Sequence, residues 1–149
     1  MNARVRVKFC GITRAEDAAE AVRLGVDAVG LVFVPGSRRC VDIQQARDIV
    51  AAVPAFVSTV GLFMDADAAH VDAVLAAVPL DLLQFHGRER PEFCAAFRRP
   101  YVKALAMGDG VDVAMMASAY AGARGMLLDA HRSGEQQEGP VFRGHARAG

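Results

Sequence analysis

The sequence predicts an α/β protein with a parallel β-sheet, and three observations support this. Six short apolar segments recur at regular intervals, and one amphipathic helical pattern separates each neighbouring pair. This alternation is typical of βαβ units, whose strands run parallel. The segment at residues 27–34 is almost entirely apolar, as expected for a strand that is covered on both faces. An open doubly wound sheet and a (β/α)8 barrel are both consistent with this pattern.

The first strand and helix are predicted from the residues around Cys10. An apolar strand ends at Cys10, and a small-residue turn follows it. Thr13 and Glu16 have the spacing of a capping box, which predicts a helix over residues 14–24. Gly25 supplies a left-handed stop after that helix.

Caps and prolines set the ends of the later elements. Asp42, with Gln45 three residues on, predicts a second capped helix that stops before Pro54. Pro91 suits the first turn of the fourth helix. After the first strand, strands are predicted at residues 27–34, 56–63, 80–85, 101–106 and 125–129. Helices are predicted at residues 14–24, 42–53, 67–77, 91–98 and 111–120.

Composition excludes several classes of function. The 149 residues suffice for one domain with a sizeable core, and 53% of them are hydrophobic. The formal net charge of zero argues against a nucleic-acid or anionic-membrane surface. We expect no leader peptide and no membrane span, and we predict a cytoplasmic location. The three cysteines form no C-x-x-C pair, which disfavours a zinc or thioredoxin-type site and fits reduced thiols. They are Cys10, Cys40 and Cys94.

A series of short motifs resembles the phosphoribosylanthranilate isomerase family of tryptophan biosynthesis. The motifs are KFCGIT at residues 8–13, GLVF at 30–33, PGSRR at 35–39, VGLF at 60–63, LQFHG at 83–87, KA at 103–104 and LLDA at 127–130. They follow one another at the family's spacing over about residues 4 to 132. The resemblance implies a (β/α)8 TIM barrel and decides between the two architectures, which periodicity does not.

The resemblance stops after about residue 132. Residues 1–130 are therefore expected to form a partial barrel of six βα units, with strands seven and eight missing. Residues 131–149 are polar and aperiodic, and we expect a divergent, disordered tail there, from a truncated or frame-shifted coding sequence. Because the family's phosphate-binding loops follow the missing strands, little or no isomerase activity is expected for the chain alone.

The resemblance also implies a reaction and roles for three residues. The reaction is an Amadori rearrangement of N-(5-phosphoribosyl)anthranilate to 1-(2-carboxyphenylamino)-1-deoxyribulose 5-phosphate, and it needs no cofactor. Cys10 matches the family's general base, Asp129 its general acid, and Arg39 the arginine that contacts the anthranilate carboxylate. From the residues alone, Cys10 is equally a small buried hydrophobic residue. A helix cap or loop carboxylate is the alternative for Asp129, and it is disfavoured because no good helix follows. A solvated loop charge is the usual role of an Arg-Arg pair such as the one that contains Arg39.

Further polar residues on the strands are candidates for the pocket. Gln84 and His86 alternate along the fourth strand and are expected to line the substrate site, although a histidine at a strand end is as often structural. Lys8 precedes Cys10 by two residues, so both side chains are expected on one face. Metal binding is not expected, because no second ligand has a supporting spacing.

Two other residues carry weaker expectations. Asp65, after the third strand, is a minor pocket candidate. Lys103 is expected to point into the barrel. Its non-catalytic alternative is a structural one, as a charge partner for Asp129 or for the region of Lys8.

Two alternatives to an isomerase remain open on the sequence. One is a non-catalytic fragment that is inactive alone or needs a complementary chain, with self-association through open sheet edges. The other is an open nucleotide-binding sheet, which is disfavoured because neither G-x-G-x-x-G nor G-x-x-x-x-G-K-[ST] occurs. For the isomerase, the partner is a small phosphosugar–anthranilate substrate, with no nucleic acid and no membrane.

Overall fold

Strands and helices alternate along the chain in the computed structural model, which describes residues 4–107 and 111–130. The strands are β1 (Lys8–Cys10), β2 (Ala28–Val32), β3 (Ser58–Phe63), β4 (Leu82–Phe85), β5 (Tyr101–Ala106) and β6 (Gly125–Asp129). The helices are α1 (Ala15–Arg23), α2 (Ile43–Ala51), α3 (Ala68–Ala77), α4 (Pro91–Ala96) and α5 (Val113–Ala119). The predicted tail, residues 131–149, lies outside the described residues.

The strands form one parallel sheet in the order β1-β2-β3-β4-β5-β6. In a doubly wound sheet the strand order changes direction at a switch point, whereas a barrel wall keeps the chain order. The observed order is therefore that of six successive βα units of a barrel, and the predicted fold class is confirmed. No described helix is long and apolar enough to cross a membrane.

Alternate strand residues face two different environments. One side of the sheet packs on the helices, and its core includes Leu31, Phe33, Phe63, Leu83 and Phe85. Residues from the opposite side, which we call the inner face, line a cavity of about 240 Å³. The lining includes Lys8, Val60, Leu82, Gln84, Val102 and Leu127. The inner face therefore becomes polar at Lys8 and Gln84, while the helix-facing core is aromatic and aliphatic.

The helix caps show where local sequence reasoning succeeds. The Asp42 capping box is confirmed: Asp42 Oδ1 accepts from the Gln45 amide at 2.8 Å, and Gln45 Oε1 accepts from the Asp42 amide at 3.0 Å. The capping box predicted for Thr13 is wrong. Arg14 is the N-cap of α1 and makes no side-chain cap hydrogen bond, and Glu16 instead lies 3.4 Å from the Arg14 guanidinium.

Candidate active site

The carboxyl ends of parallel strands meet at one edge of a barrel wall, and four predicted site residues lie at that edge. Cys10 is the last residue of β1, and Asp129 is the last residue of β6. His86 directly follows β4, and Arg39 lies in the segment between β2 and α2. The topology therefore brings residues that are far apart in sequence to one rim.

A tight turn holds Arg39 against Cys10. Gly11 has a φ of +85°, which favours glycine, and a Cβ at this position would lie 2.5 Å from Cδ of Arg39. The Arg39 Nη1 donates to the Cys10 carbonyl oxygen at 3.3 Å. The turn therefore needs glycine twice, once for its backbone conformation and once for the close approach of the guanidinium.

Lys8 and Cys10 share the space above a second glycine. A Cβ on Gly30 would lie 2.9 Å from the Cys10 Sγ and 3.1 Å from the Lys8 Nζ. Both side chains therefore point to the same side of β1 and lean over β2, as the two-residue spacing predicted. The Cys10 side chain is exposed, whereas Cys94 is fully buried.

A chain of hydrogen bonds joins β4 to β6. Gln84 Nε2 lies 3.1 Å from His86 Nδ1, and His86 Nε2 lies 3.0 Å from Asp129 Oδ2. We call these three residues the rim network. The His86 side chain is 18% exposed and that of Asp129 is 32% exposed, so solvent-sized molecules reach both groups.

Gln84 lies at the buried end of the rim network. The residue is 2% exposed, and its Oε1 has no hydrogen-bond partner within the described part of the chain. The predicted pocket residues Gln84 and His86 therefore contact each other, and His86 rather than Gln84 reaches the solvent-accessible rim.

Lys103 does not point into the barrel, and that prediction is wrong. Its Nζ lies 3.4 Å from the Glu89 carboxylate on the helix-facing side, and both side chains are almost fully buried. The Nζ also donates to the carbonyl oxygens of Gly87 (2.7 Å), Ala104 (3.0 Å) and Phe85 (3.2 Å). We call Lys103 and Glu89 the buried pair; it ties the segment after β4 to β5.

Asp65 belongs to the same scaffold. Its Oδ1 accepts from the Arg88 amide at 2.6 Å, and its own amide donates to Glu89 at 2.9 Å. A Cβ at Gly87 would lie 2.4 Å from the Asp65 Oδ1. These contacts give Asp65 a structural role in holding the segment after β3 against the segment after β4.

Sequence reasoning missed Glu89, Gly11 and Gly30 as determinants of the site. Glu89 lies in a charged stretch, where a buried carboxylate is not expected. The two glycines had one detectable signal, since glycine inside or just after a strand often marks a close backbone approach.

Cys94 is buried, unlike the exposed Cys10 and Cys40. Burial, together with the nearby Glu89 carboxylate, raises the pKa of the Cys94 thiol to about 11, so it stays protonated at neutral pH. Among residues 4–107 and 111–130, no group of three or more His, Cys, Asp or Glu side chains is arranged to hold a metal ion.

Comparison with known proteins identifies the family. The sequence model of N-(5'phosphoribosyl)anthranilate (PRA) isomerase matches residues 7–142. The N-(5'-phosphoribosyl)anthranilate isomerase of Halorhodospira halophila is 56% identical over 133 residues, which are 89% of this chain and 64% of that protein. The chain therefore spans less than two thirds of that relative's length.

Solved structures agree with the sequence comparison. Phosphoribosyl anthranilate isomerase from Thermotoga maritima has a TM-score of 0.78 and 34% identity, covering 91% of this chain and 67% of that one. A phosphoribosyl anthranilate isomerase in complex with reduced 1-(o-carboxyphenylamino)-1-deoxyribulose 5-phosphate has a TM-score of 0.77 and 38% identity, covering 85% and 65%. The sequence match, the strand order and these structural neighbours agree, and the chain belongs to the N-(5'-phosphoribosyl)anthranilate isomerase family.

Proposed function

We propose that this chain carries the acid–base groups that convert N-(5'-phosphoribosyl)anthranilate into the corresponding 1-deoxyribulose 5-phosphate. The observation that supports this most is the shared rim: Cys10, Arg39, His86 and Asp129 come from four different segments and lie at the same end of the sheet. Barrel enzymes hold their catalytic groups at this end.

In the proposed reaction, Asp129 acts first as the general acid. It donates a proton to the furanose ring oxygen, the bond from that oxygen to C1 breaks, and a protonated Schiff base forms between C1 and the anthranilate nitrogen. The carboxylate of Asp129 is left behind, next to the imidazole of His86. Proton transfer by a positioned acid of this kind contributes about 10² to 10⁴-fold in rate.

Cys10 acts second as the general base. Its thiolate takes the proton from C2, and the electron pair of that C–H bond forms the enolamine. The enolamine then tautomerises to the aminoketose, with a proton added at C1, so the reaction is redox-neutral overall. The Lys8 ammonium group lies on the same side of β1 as the sulfur, over Gly30.

Arg39 is proposed to bind the anthranilate carboxylate. The guanidinium group is planar and pairs with a carboxylate through two parallel hydrogen bonds. Its Nη1 is already fixed against the Cys10 carbonyl, so a substrate bound to Arg39 is held at a defined distance from the thiol. The structural neighbour that binds a reduced 1-deoxyribulose 5-phosphate derivative supports a substrate of this class.

The proposed base requires a reduced thiol. Cys10 forms no disulfide and is accessible to solvent, so in an oxidising compartment its thiol would undergo disulfide exchange. We therefore propose a cytoplasmic location, which cell fractionation with an antibody to the chain would test.

A non-catalytic fragment is the less favoured alternative, because the comparisons and the assembled rim both favour an isomerase. Self-association remains a separate proposal. β1 and β6 each have one neighbouring strand among the described residues, and apolar side chains are exposed there: Phe9 is 41% exposed and Leu128 is 54% exposed. Sedimentation velocity over a range of protein concentrations would test it, and a monomer at every concentration would exclude it.

The isomerase proposal is tested with enzyme in excess over N-(5'-phosphoribosyl)anthranilate. We expect product formation above the uncatalysed rate, and we expect the amide signals of Gly11 and Arg39 to shift when the reduced product analogue is added. The Cys10→Ala variant, purified by the same procedure, is the control for contaminating enzyme. No conversion together with no shift in either amide would overturn the proposal for this chain.

A further inference from the structure

Gln84 occupies an unusual position for an uncharged polar side chain. It is 2% exposed on the inner face of β4, and one of its two amide atoms, Oε1, has no hydrogen-bond partner among the described residues. Leaving a buried polar atom unpaired costs about 1–3 kcal/mol, so a favourable contribution of the Gln84 amide must come from its other atom. That other atom, Nε2, contacts His86.

The contact constrains the protonation of the imidazole. An amide N–H is only a donor, so the His86 Nδ1 that lies 3.1 Å away must accept and carries no proton. The single proton of the neutral ring is then on Nε2, which lies 3.0 Å from Asp129 Oδ2 and donates to it.

The surroundings of Gln84 favour this orientation of the amide over its reverse. Gln84 shares the cavity on the inner face with Lys8, whose ammonium is the charged group among the described residues that line it. The other lining residues are apolar or glycine: Val60, Leu82, Val102, Gly125, Met126 and Leu127. A cation in the same cavity favours a carbonyl oxygen over an NH₂ group facing that cavity, which leaves the NH₂ for His86.

We propose that Gln84 is a positioning residue that holds His86 in its Nε2–H tautomer, so that His86 in turn fixes Asp129. The inference rests on the proposed function only in treating Asp129 as the acid. A carboxylic acid has one O–H and one carbonyl oxygen, and Oδ2 is the acceptor of the histidine hydrogen bond. The acid proton is therefore carried by Oδ1.

The tautomer also fixes the direction of this hydrogen bond. A ring protonated on Nδ1 would present a lone pair on Nε2 and would only accept from Asp129. With the proton on Nε2, the ring donates to Oδ2 and holds the carboxyl group in one orientation at the rim. Gln84 thus acts through His86 on the orientation of Asp129.

The test is a two-bond ¹H–¹⁵N correlation spectrum of the histidine rings in the intact chain, with the His86 signals assigned from a His86→Gln variant. We expect His86 with Nε2 protonated and Nδ1 unprotonated. His70 is an internal reference, because its Nε2 lies 3.2 Å from the Phe33 carbonyl oxygen, which only accepts. His86 protonated on Nδ1 in the parent chain would overturn the proposal.

Two variants test the role of the Gln84 amide. Gln84→Glu presents an acceptor to Nδ1 and should move the proton there, whereas Gln84→Met removes both donor and acceptor and should give a mixture of tautomers. The His70 signals should stay unchanged in both, which verifies folding. If the buried carboxylate prevents folding, Gln84→Met decides alone, and a His86 spectrum identical to the parent would contradict the proposal.

The tautomer is read without turnover, so it can be right or wrong independently of whether the chain is an isomerase. Where conversion is measurable, Gln84→Met should lower kcat and leave KM within about twofold, because the acid is affected and substrate binding is not. A changed tautomer with unchanged kcat would overturn the proposed link between Gln84 and Asp129.

Discussion

The rim network and the buried pair use neighbouring strands for opposite purposes. In the rim network, His86 and Asp129 are 18% and 32% exposed at the carboxyl end of the sheet. In the buried pair, Lys103 and Glu89 are 3% and 2% exposed on the helix-facing side. Both contain a carboxylate close to a nitrogen base, and they differ in burial and in how completely their hydrogen bonds are made.

The buried pair is closely surrounded by protein partners. Lys103 donates to three carbonyl oxygens besides its contact with Glu89, and Glu89 accepts from the amides of Asp65 and Gly87. A desolvated charge is tolerated only with such compensation. The rim network stays partly in solvent, where a proton can be exchanged with a bound molecule. Partial exposure therefore suits the rim network to chemistry, whereas full enclosure suits the buried pair to holding the chain together.

The largest expected effect is on activity, from the exposed network. Asp129→Asn removes the proposed acid and should lower the single-turnover rate by about 10² to 10⁴-fold, or to the uncatalysed rate. The free energy of unfolding should change by less than about 1 kcal/mol, because a single partly exposed contact such as that between His86 and Asp129 contributes little. Retained activity in Asp129→Asn would overturn the assignment of the acid.

The next effect is on stability, from the buried pair. Lys103→Met leaves the Glu89 carboxylate without its cation and removes one hydrogen bond from each of three carbonyl oxygens, so the free energy of unfolding should fall by about 3–5 kcal/mol. Urea denaturation followed by circular dichroism measures it, with Asp129→Asn as the matched control at the rim. A loss below about 1 kcal/mol would show that the two networks do not differ in this way.

A smaller effect is expected where the rim meets the sheet. In Gly30→Ala the new Cβ would lie 2.9 Å from the Cys10 Sγ and 3.2 Å from its Cα, so the strand must shift as well as the thiol. We expect a loss of about 1–3 kcal/mol in the free energy of unfolding, with a changed alkylation rate at Cys10.

Gly125→Ala is the matched control for this substitution. The nearest atom to its Cβ position, apart from its chain neighbours, is Val102 Cγ1 at 3.9 Å, an ordinary contact. Equal losses in the two variants would mean that the space above Gly30 is not reserved for the thiol and the ammonium group.

The smallest effect is expected from the most exposed network, at the start of the sheet. Asp27 accepts from the Val7 amide at 2.8 Å and from Arg6 at 2.9 Å, and it pairs with Arg4; the Val7 hydrogen bond, followed by that of Arg6, lowers its pKa. A lowered pKa in the folded state adds stability above the unfolded value near 4, and this stability is lost as the pH falls through the folded value.

Asp27→Asn should therefore make the loss of stability below about pH 4 less steep. At neutral pH and in the presence of salt, the variant and the parent should have nearly the same free energy of unfolding. Urea midpoints of parent and variant at pH 7 and pH 3 measure this. If the two proteins lose stability equally between these pH values, the Asp27 contacts do not contribute to acid sensitivity.

Local features explain which predictions succeeded. The Asp42–Gln45 capping box depends on residues three apart, and it was confirmed. The Thr13 capping box failed because a tertiary contact controls that turn: the amides of Gly11 and Ile12 both donate to the carbonyl oxygen of Gly30 on β2. These bonds fix how the chain leaves β1, and the helix begins one residue later than the cap pattern predicts.

The side-chain direction of Lys103 shows what sequence reasoning could not predict about the site. Apart from Lys103, β5 is apolar on both faces, so its alternation separates two sets of residues but does not say which set faces the helices. Its charge partner, Glu89, lies in a loop after another strand, and no local spacing joins the two. Lys8 and Cys10 were placed on one face correctly, because that statement needs only the two-residue period of a strand.

The order of strands and helices, the parallel sheet and the residues at the strand ends follow from the sequence, because they depend on hydrophobic periodicity and short-range caps. The pairing of Gln84 with His86 and Asp129, the burial of Lys103 with Glu89, and the space that Gly30 leaves for a thiol were decided only by the tertiary structure. Those contacts join segments that are distant in the chain, and their geometry depends on how neighbouring strands lie against one another.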